Sequence, residues 1–338
     1  MKILTFGELL LRLTSVGYEK LFQSNTLNAT FCGGEANVAV SLSIFGIHSC
    51  FVTKLPNNDV GKAAKRSLDY FGVDTSNIIF GDGRMGLFYL EKGASQRPSV
   101  VIYDRKESSI ANASSKDFDW ETLFNGVTWF HWTGISPAIS PNVANIIFEA
   151  CKFAKQKGII VSCDLNYRRK LWSPEDAQKT MKQLLPFVDV CIGNEEDAQL
   201  VLGINSNYSG NNIIPTIGEY KKIASTIERQ YGCKTIAFTL RESYSASFNG
   251  WKALLYNEGE IYQSQKYDIQ LIDRVGAGDS FAAGLIFGLI SGKPKQECIE
   301  FAAAASCLKQ TIEGDFNRVS ASDVYSLMSG DGNGRIKR

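Results

Sequence analysis

The stretch DRVGAGDSFAAGLIFGLI, residues 273–290, decides how the rest of the chain is read. Gly276, Ala277 and Gly278 make a small-residue turn, and from Ser280 onward apolar and small residues at helical spacing predict a buried helix. The first amides of a helix lack intrahelical partners, and the peptide dipoles place partial positive charge there. Glycines that let a backbone come close turn such a start into a phosphate cradle. Asp279 stands at that cradle, placed to take the proton of an attacking hydroxyl, because phosphoryl transfer otherwise asks mainly for positioning and charge stabilisation. Taken alone, Gly-Ala-Gly-Asp serves equally well as a flexible turn ahead of an N-capping aspartate.

Length and composition narrow the partners. A chain of 338 residues is long enough for one large α/β domain, read here as residues 1–328, with the polar 329–338 as a disordered tail. The 36 Lys plus Arg against 35 Asp plus Glu leave a formal net charge of +1, which points to a small-molecule partner and away from nucleic acid or a membrane surface. Eight cysteines without a CxxC pair suit reduced, buried thiols in the cytoplasm, and two histidines are too few for imidazole-based metal chemistry. MKILTFGELLLRLT, interrupted by Glu8 and Arg12, reads as a first strand and not as a signal peptide. No GxGxxG follows that strand, which argues against a dinucleotide-dependent oxidoreductase.

Further along, strands alternate with helices, so the expected architecture is α/β, with helices on both faces of a mostly parallel central sheet. CGGEANVAVSLSIFG (32–46) predicts a Gly33-Gly34 turn and a helix stopped by Gly46, and Asp59 reads either as an N-cap or as a ligand. Residues 9–32 and 84–106 alternate apolar and polar positions, predicting a small lid sheet inserted into the domain. Arg105 in that lid and Arg168, just beyond the strand that ends at Asp164, each offer a planar fork suited to a carboxylate. Pairing with a protein carboxylate such as Asp104 or Asp164 is the competing explanation.

Asp273, Gly276, Ala277, Gly278, Asp279, Ala283, Gly284 and Leu285 resemble one signature of the PfkB, or ribokinase-like, carbohydrate kinases. Gly33, Gly34, Asn37, Ala39, Gly46 and Gly61 resemble the other, while Arg274 and Cys32 depart from the usual pattern. The resemblance implies a ribokinase-like three-layer α/β/α fold with a β-sheet lid. It makes Asp279 the base, the backbone of Gly276, Ala277 and Gly278 the anion hole, and Gly33, Gly34 and Asn37 contacts to the sugar. Asn194, Thr239, Arg241, Gly276, Gly278 and Ala303 would border ATP. Asn194 and Asp197 would hold Mg2+ indirectly, through water, and a monovalent cation such as K+ is a further implied cofactor. Within the family, Tyr89, Tyr103, Arg105 and Arg168 resemble the residues by which the 2-keto-3-deoxygluconate kinases hold their keto-acid. That likeness implies ATP-dependent phosphorylation of the 6-hydroxyl, with a neutral-sugar kinase such as a fructokinase as the alternative, and a homodimer formed through the lid.

Overall fold

The computed structural model describes residues 1–205 and 215–330. The expected tail therefore lies almost wholly outside the described residues. The strands, in chain order, are β1 (Lys2–Phe6), β2 (Leu10–Ser15), β3 (Leu27–Cys32), β4 (His48–Val52), β5 (Lys54–Pro56), β6 (Ile79–Gly81), β7 (Gly86–Glu91) and β8 (Val100–Asp104). They continue as β9 (Val127–Thr133), β10 (Ile160–Asp164), β11 (Val190–Gly193), β12 (Thr235–Ser243), β13 (Phe248–Asn257), β14 (Glu260–Gln263) and β15 (Tyr267–Gln270).

The central sheet runs β14-β13-β12-β11-β10-β9-β1-β4, with β15 also on β13. It is parallel from β12 to β4, and antiparallel only where β13 meets its neighbours. Strands covered on both faces must be apolar on both, and β1 shows the consequence: Ile3 joins the core on one side of the sheet, Leu4 and Phe6 the core on the other. Trp129 and Phe130 of β9 divide in the same way. From β1 the chain runs outward to β4, then crosses back to β9 and proceeds in the opposite direction, so the order reverses between β1 and β9. Open α/β sheets bind ligands at the carboxyl ends of the strands beside such a reversal.

The decisive stretch folds as expected, with a helix over Ala277–Ile290. Gly276 caps it in the left-handed region at φ 81°, and a Cβ there would stand 2.2 Å from the Asp315 carbonyl. A second helix, Lys295–Lys309, packs directly against the first. Cβ atoms added at Gly284 and Gly288 would lie 2.9 Å from the Cα atoms of Ala302 and Cys298, so the two backbones meet at a spacing only glycine permits.

The lid is a separate four-stranded sheet, β3-β2-β7-β8. Its pleat sorts side chains by row. Thr30, Arg12, Phe88 and Tyr103 stand opposite one another on one face, and Ala29, Leu13, Tyr89 and Ile102 on the other. All eight cysteines are free and buried, and burial pushes the Cys233 and Cys307 thiols up to about 12. Asn58, not Asp59, caps its helix by accepting from Gly61 N, and the Asp59 side chain is solvent-exposed, so that residue is neither cap nor ligand. Among the described residues no helix is long and apolar enough to cross a membrane.

Because the backbone itself blocks a Cβ at position 284, Gly284→Ala is predicted to destabilise the fold by about 1–3 kcal/mol through overpacking. Denaturant unfolding would show this as a lower midpoint at an unchanged slope.

Candidate active site

The reversal point opens into a cavity of about 850 Å³. Its walls come from strand ends, as the topology requires: Glu8 follows β1, Ile135 follows β9, Asp164 to Arg169 close β10, Gly193 to Asp197 close β11, and Thr239 to Ser243 belong to β12. The helix start at 276–279 forms the floor, and Phe88, Val101, Tyr103 and Arg105 of the lid face it.

At the floor, Asn37 Nδ2 donates to Asp279 Oδ2 at 2.6 Å, while Asn37 Oδ1 accepts from Gly33 N at 3.3 Å. The amide expected to read sugar hydroxyls is thus chiefly engaged in holding the carboxylate. Gly34 lies against the same carboxylate, where a Cβ would make only ordinary contact at 3.6 Å with Asp279 Oδ1. Burial pushes the Asp279 carboxyl up to about 7, against the lowering effect of the Asn37 bond. A carboxylate with that pKa can accept a proton near neutral pH. Ala277 N turns back to the Arg274 carbonyl at 3.4 Å, so the amides that follow it are the ones best aimed at an anion.

Three carboxylates, those of Asp164, Asp197 and Asp279, share this end of the cavity with one guanidinium, Arg168. Burial raises Asp164 well above the carboxylate range, the charges of Asp197 and Asp279 raise it further, and Arg168 opposes them. Asp197 rises to about 6 by burial, although its oxygens accept from Tyr167 N at 3.0 Å and Asn194 N at 3.2 Å. Asn194 Oδ1 accepts from Asp197 N in return, a reciprocal cap of the helix Glu195–Leu202. Among the described residues no three His, Cys, Asp or Glu side chains could by themselves enclose a metal ion. The surplus of hard oxygen donors nonetheless fits a Mg2+ that would arrive with phosphates, its remaining ligands being phosphate oxygens and water.

Across the cavity, Arg241 and Arg274 carry two positive charges without a carboxylate partner among the described residues. Burial and the Arg241 charge both lower Arg274. Two guanidiniums without a carboxylate partner in the same cavity as that helix start suit an anion, and Arg274, the departure from the family pattern, is the residue whose role the sequence leaves unassigned.

Several expectations need correction. Tyr89 faces away from the cavity, against Phe22 at 6.2 Å between ring centroids, because the register pairs Phe88 and not Tyr89 with Tyr103. Ala303 is fully buried between helix and sheet and does not reach the cavity. Arg105 does pair with a protein carboxylate, but with Glu8: its Nε donates to Glu8 Oε2 at 2.7 Å and its Nη2 contacts the same oxygen. Arg84 takes the Asp104 expected for it, with Nη1 donating at 2.7 Å. Among the described residues Arg168 has no carboxylate partner; its Nη1 donates to the neighbouring Tyr167 carbonyl at 3.0 Å, and its side chain lines the cavity. Glu8, 3 % exposed, is the partner the sequence does not assign to Arg105, and its one local sign is a charged residue directly after Gly7 at the end of a buried strand.

The profile of the pfkB family carbohydrate kinases matches residues 1–318. The crystal structure of 2-dehydro-3-deoxygluconokinase from Thermotoga maritima superposes with a TM-score of 0.93 at 47 % identity, covering 98 % of each chain. A 2-dehydro-3-deoxygalactonokinase of Haloferax volcanii is 29 % identical over 97 % of both chains. An E. coli protein solved with ATP and Mg2+ is 18 % identical at a TM-score of 0.80, covering 97 % of this chain and 99 % of its own, and shares the fold alone.

A carboxyl with a raised folded pKa binds its proton more tightly folded than unfolded, so stability is lost as pH rises from about 4 toward 7. Asp279→Asn removes that cost. Thermal melts should place the variant above the parent at pH 8, with the difference shrinking toward pH 4, and an equal difference at both would refute the raised pKa.

Proposed function

The chain belongs to the pfkB family of carbohydrate kinases, and we propose that it transfers the γ-phosphoryl group of ATP to the 6-hydroxyl of 2-keto-3-deoxygluconate. The observation that carries the reaction type is the buried Asp279, held by Asn37 at the start of the helix Ala277–Ile290. In this reading Asp279 Oδ accepts the hydroxyl proton as the oxygen attacks phosphorus. The amides of the 276–279 turn, together with Arg241 and Arg274, steady the charge that gathers on the phosphoryl oxygens. Mg2+ neutralises the triphosphate when bound. Asp164 would hold it directly or through water, and Asn194 and Asp197 would hold it through water. Thr239 borders the phosphates from β12. The lid excludes water from the transferable group.

Support for an acidic sugar comes from Arg168 and Arg105 in the same cavity and from the substrates named for the two relatives above. With Nε and Nη2 of Arg105 turned to Glu8, Nη1 is the atom left for a carboxylate or hydroxyl. That same pairing favours the second reading, a fructokinase or other neutral-sugar kinase, because a guanidinium already neutralised has less attraction for an anion. A cytoplasmic setting agrees with eight free thiols.

We also propose a homodimer through the outer face of the lid, where Phe22, Tyr18 and Ile102 are exposed at 70 %, 53 % and 49 %.

A coupled assay of ATP consumption over 2-keto-3-deoxygluconate, its galactonate epimer, fructose, ribose and gluconate tests the substrate. Asp279→Asn should lower kcat by about 10³-fold or more with nucleotide binding kept. Arg168→Ala should raise KM for a keto-acid by at least about tenfold while leaving a neutral-sugar enzyme nearly unaffected. Ile102→Glu should convert a dimer to a monomer in sedimentation, and an unchanged mass would remove the lid from the interface.

A further inference from the structure

Behind the anion-hole loop lies a closed set of four charges. Arg12, on the inner face of the lid and 2 % exposed, contacts Asp315 through Nη1 and Asp273 through Nη2 at 2.5 Å. The Asp273 carboxylate also accepts from Val275 N and Gly314 N, each at 3.1 Å, and so fastens the residues just before the turn to the loop at 314. Lys309 completes the set. It is 0 % exposed, and its Nζ donates to the backbone carbonyls of Asp273 at 3.2 Å and Ile312 at 3.4 Å. Its Cε lies 3.2 Å from where a Gly276 Cβ would stand, directly behind the residue that turns the backbone toward the phosphate site.

A lysine seldom enters a protein interior without a task that repays the loss of hydration. Here the ammonium meets carbonyl oxygens contributed by two loops, which is how a dehydrated monovalent cation is held. The charges sum to zero with Arg12 and Lys309 against Asp273 and Asp315. A potassium ion added among them would leave a buried net positive charge and would have to displace the ammonium from the same carbonyls. We infer that Lys309 serves as a tethered monovalent cation, a positioning residue that braces the anion-hole loop, and that the enzyme needs no K+. The inference rests on the proposed role of that loop in binding phosphate.

Two experiments test it. Turnover and the ATP-induced rise in melting temperature are measured in potassium chloride and in choline chloride at equal ionic strength. Both should agree within about twofold in turnover or affinity. Tenfold stimulation by K+ would overturn the inference. Lys309→Ala should lower kcat by at least about tenfold, a loss partly restored by ammonium, methylammonium or K+ ions but not by choline. Full activity without added cation, or a loss that no small cation restores in a variant whose melt shows it folded, would also overturn it. If the variant does not fold, the comparison of salts in the parent decides alone. The melting shift needs no turnover, so failure to phosphorylate any sugar counts against the proposed function, and salt dependence of the nucleotide shift counts against Lys309.

Discussion

Everything at this site depends on keeping one carboxylate out of water beside a helix start whose amides are kept for something else. Left to solvent, Asp279 would ionise near the ordinary carboxylate range and make a feeble base. Burial lifts it toward neutrality, while the bond from Asn37 and the charge of Arg168 oppose that rise, and the Asn37 bond fixes its direction. Such a group burdens the folded state, and the surrounding architecture absorbs that burden. The glycines at 33 and 276 allow backbone segments to meet where a Cβ would stand 2.0 Å from the Glu8 carbonyl and 2.2 Å from the Asp315 carbonyl.

Convergence of that kind requires rigid supports. The helix carrying Asp279 is seated against Lys295–Lys309 at glycine-only spacing, and both rest on the sheet through a core of alanines and large aromatics. The lid is tied to the same place from the other side. Arg12 reaches from its inner face to Asp273, just before the 276–279 turn, and to Asp315, whose carbonyl packs against Gly276, so the lid and the loop proposed to receive the phosphate share one buried set of charges. A fully satisfied buried network costs less than a broken one, so removing any one of these charges would leave its partners buried and unpaired.

How much of this could be read from the sequence follows from the range of the interactions. The helix at 277–290 and the strands of the lid announce themselves through local period, and the parallel sheet through alternation of strand and helix patterns. Tyr89 shows where such reading stops. Parity sorts residues within a strand, but which residue of the next strand shares the face depends on register, and the register here pairs Phe88 with Tyr103. Ala303 fails for a related reason: small residues on a helix serve close packing as readily as a flat ligand slot, and complete burial in the core decides for packing. The pairs Glu8 with Arg105 and Arg12 with Asp315 join residues 97 and 303 positions apart, and no local pattern marks them.

The buried thiols have a consequence of another kind. A sulfhydryl that is both hidden and pushed far from ionisation offers almost no thiolate to an alkylating reagent or a peroxide. These side chains are spread from β3 to the Lys295–Lys309 helix, through every layer of the fold. The native molecule is therefore chemically mute at sulfur, and the pace at which a maleimide marks each position becomes a map of which layer opens first and how often.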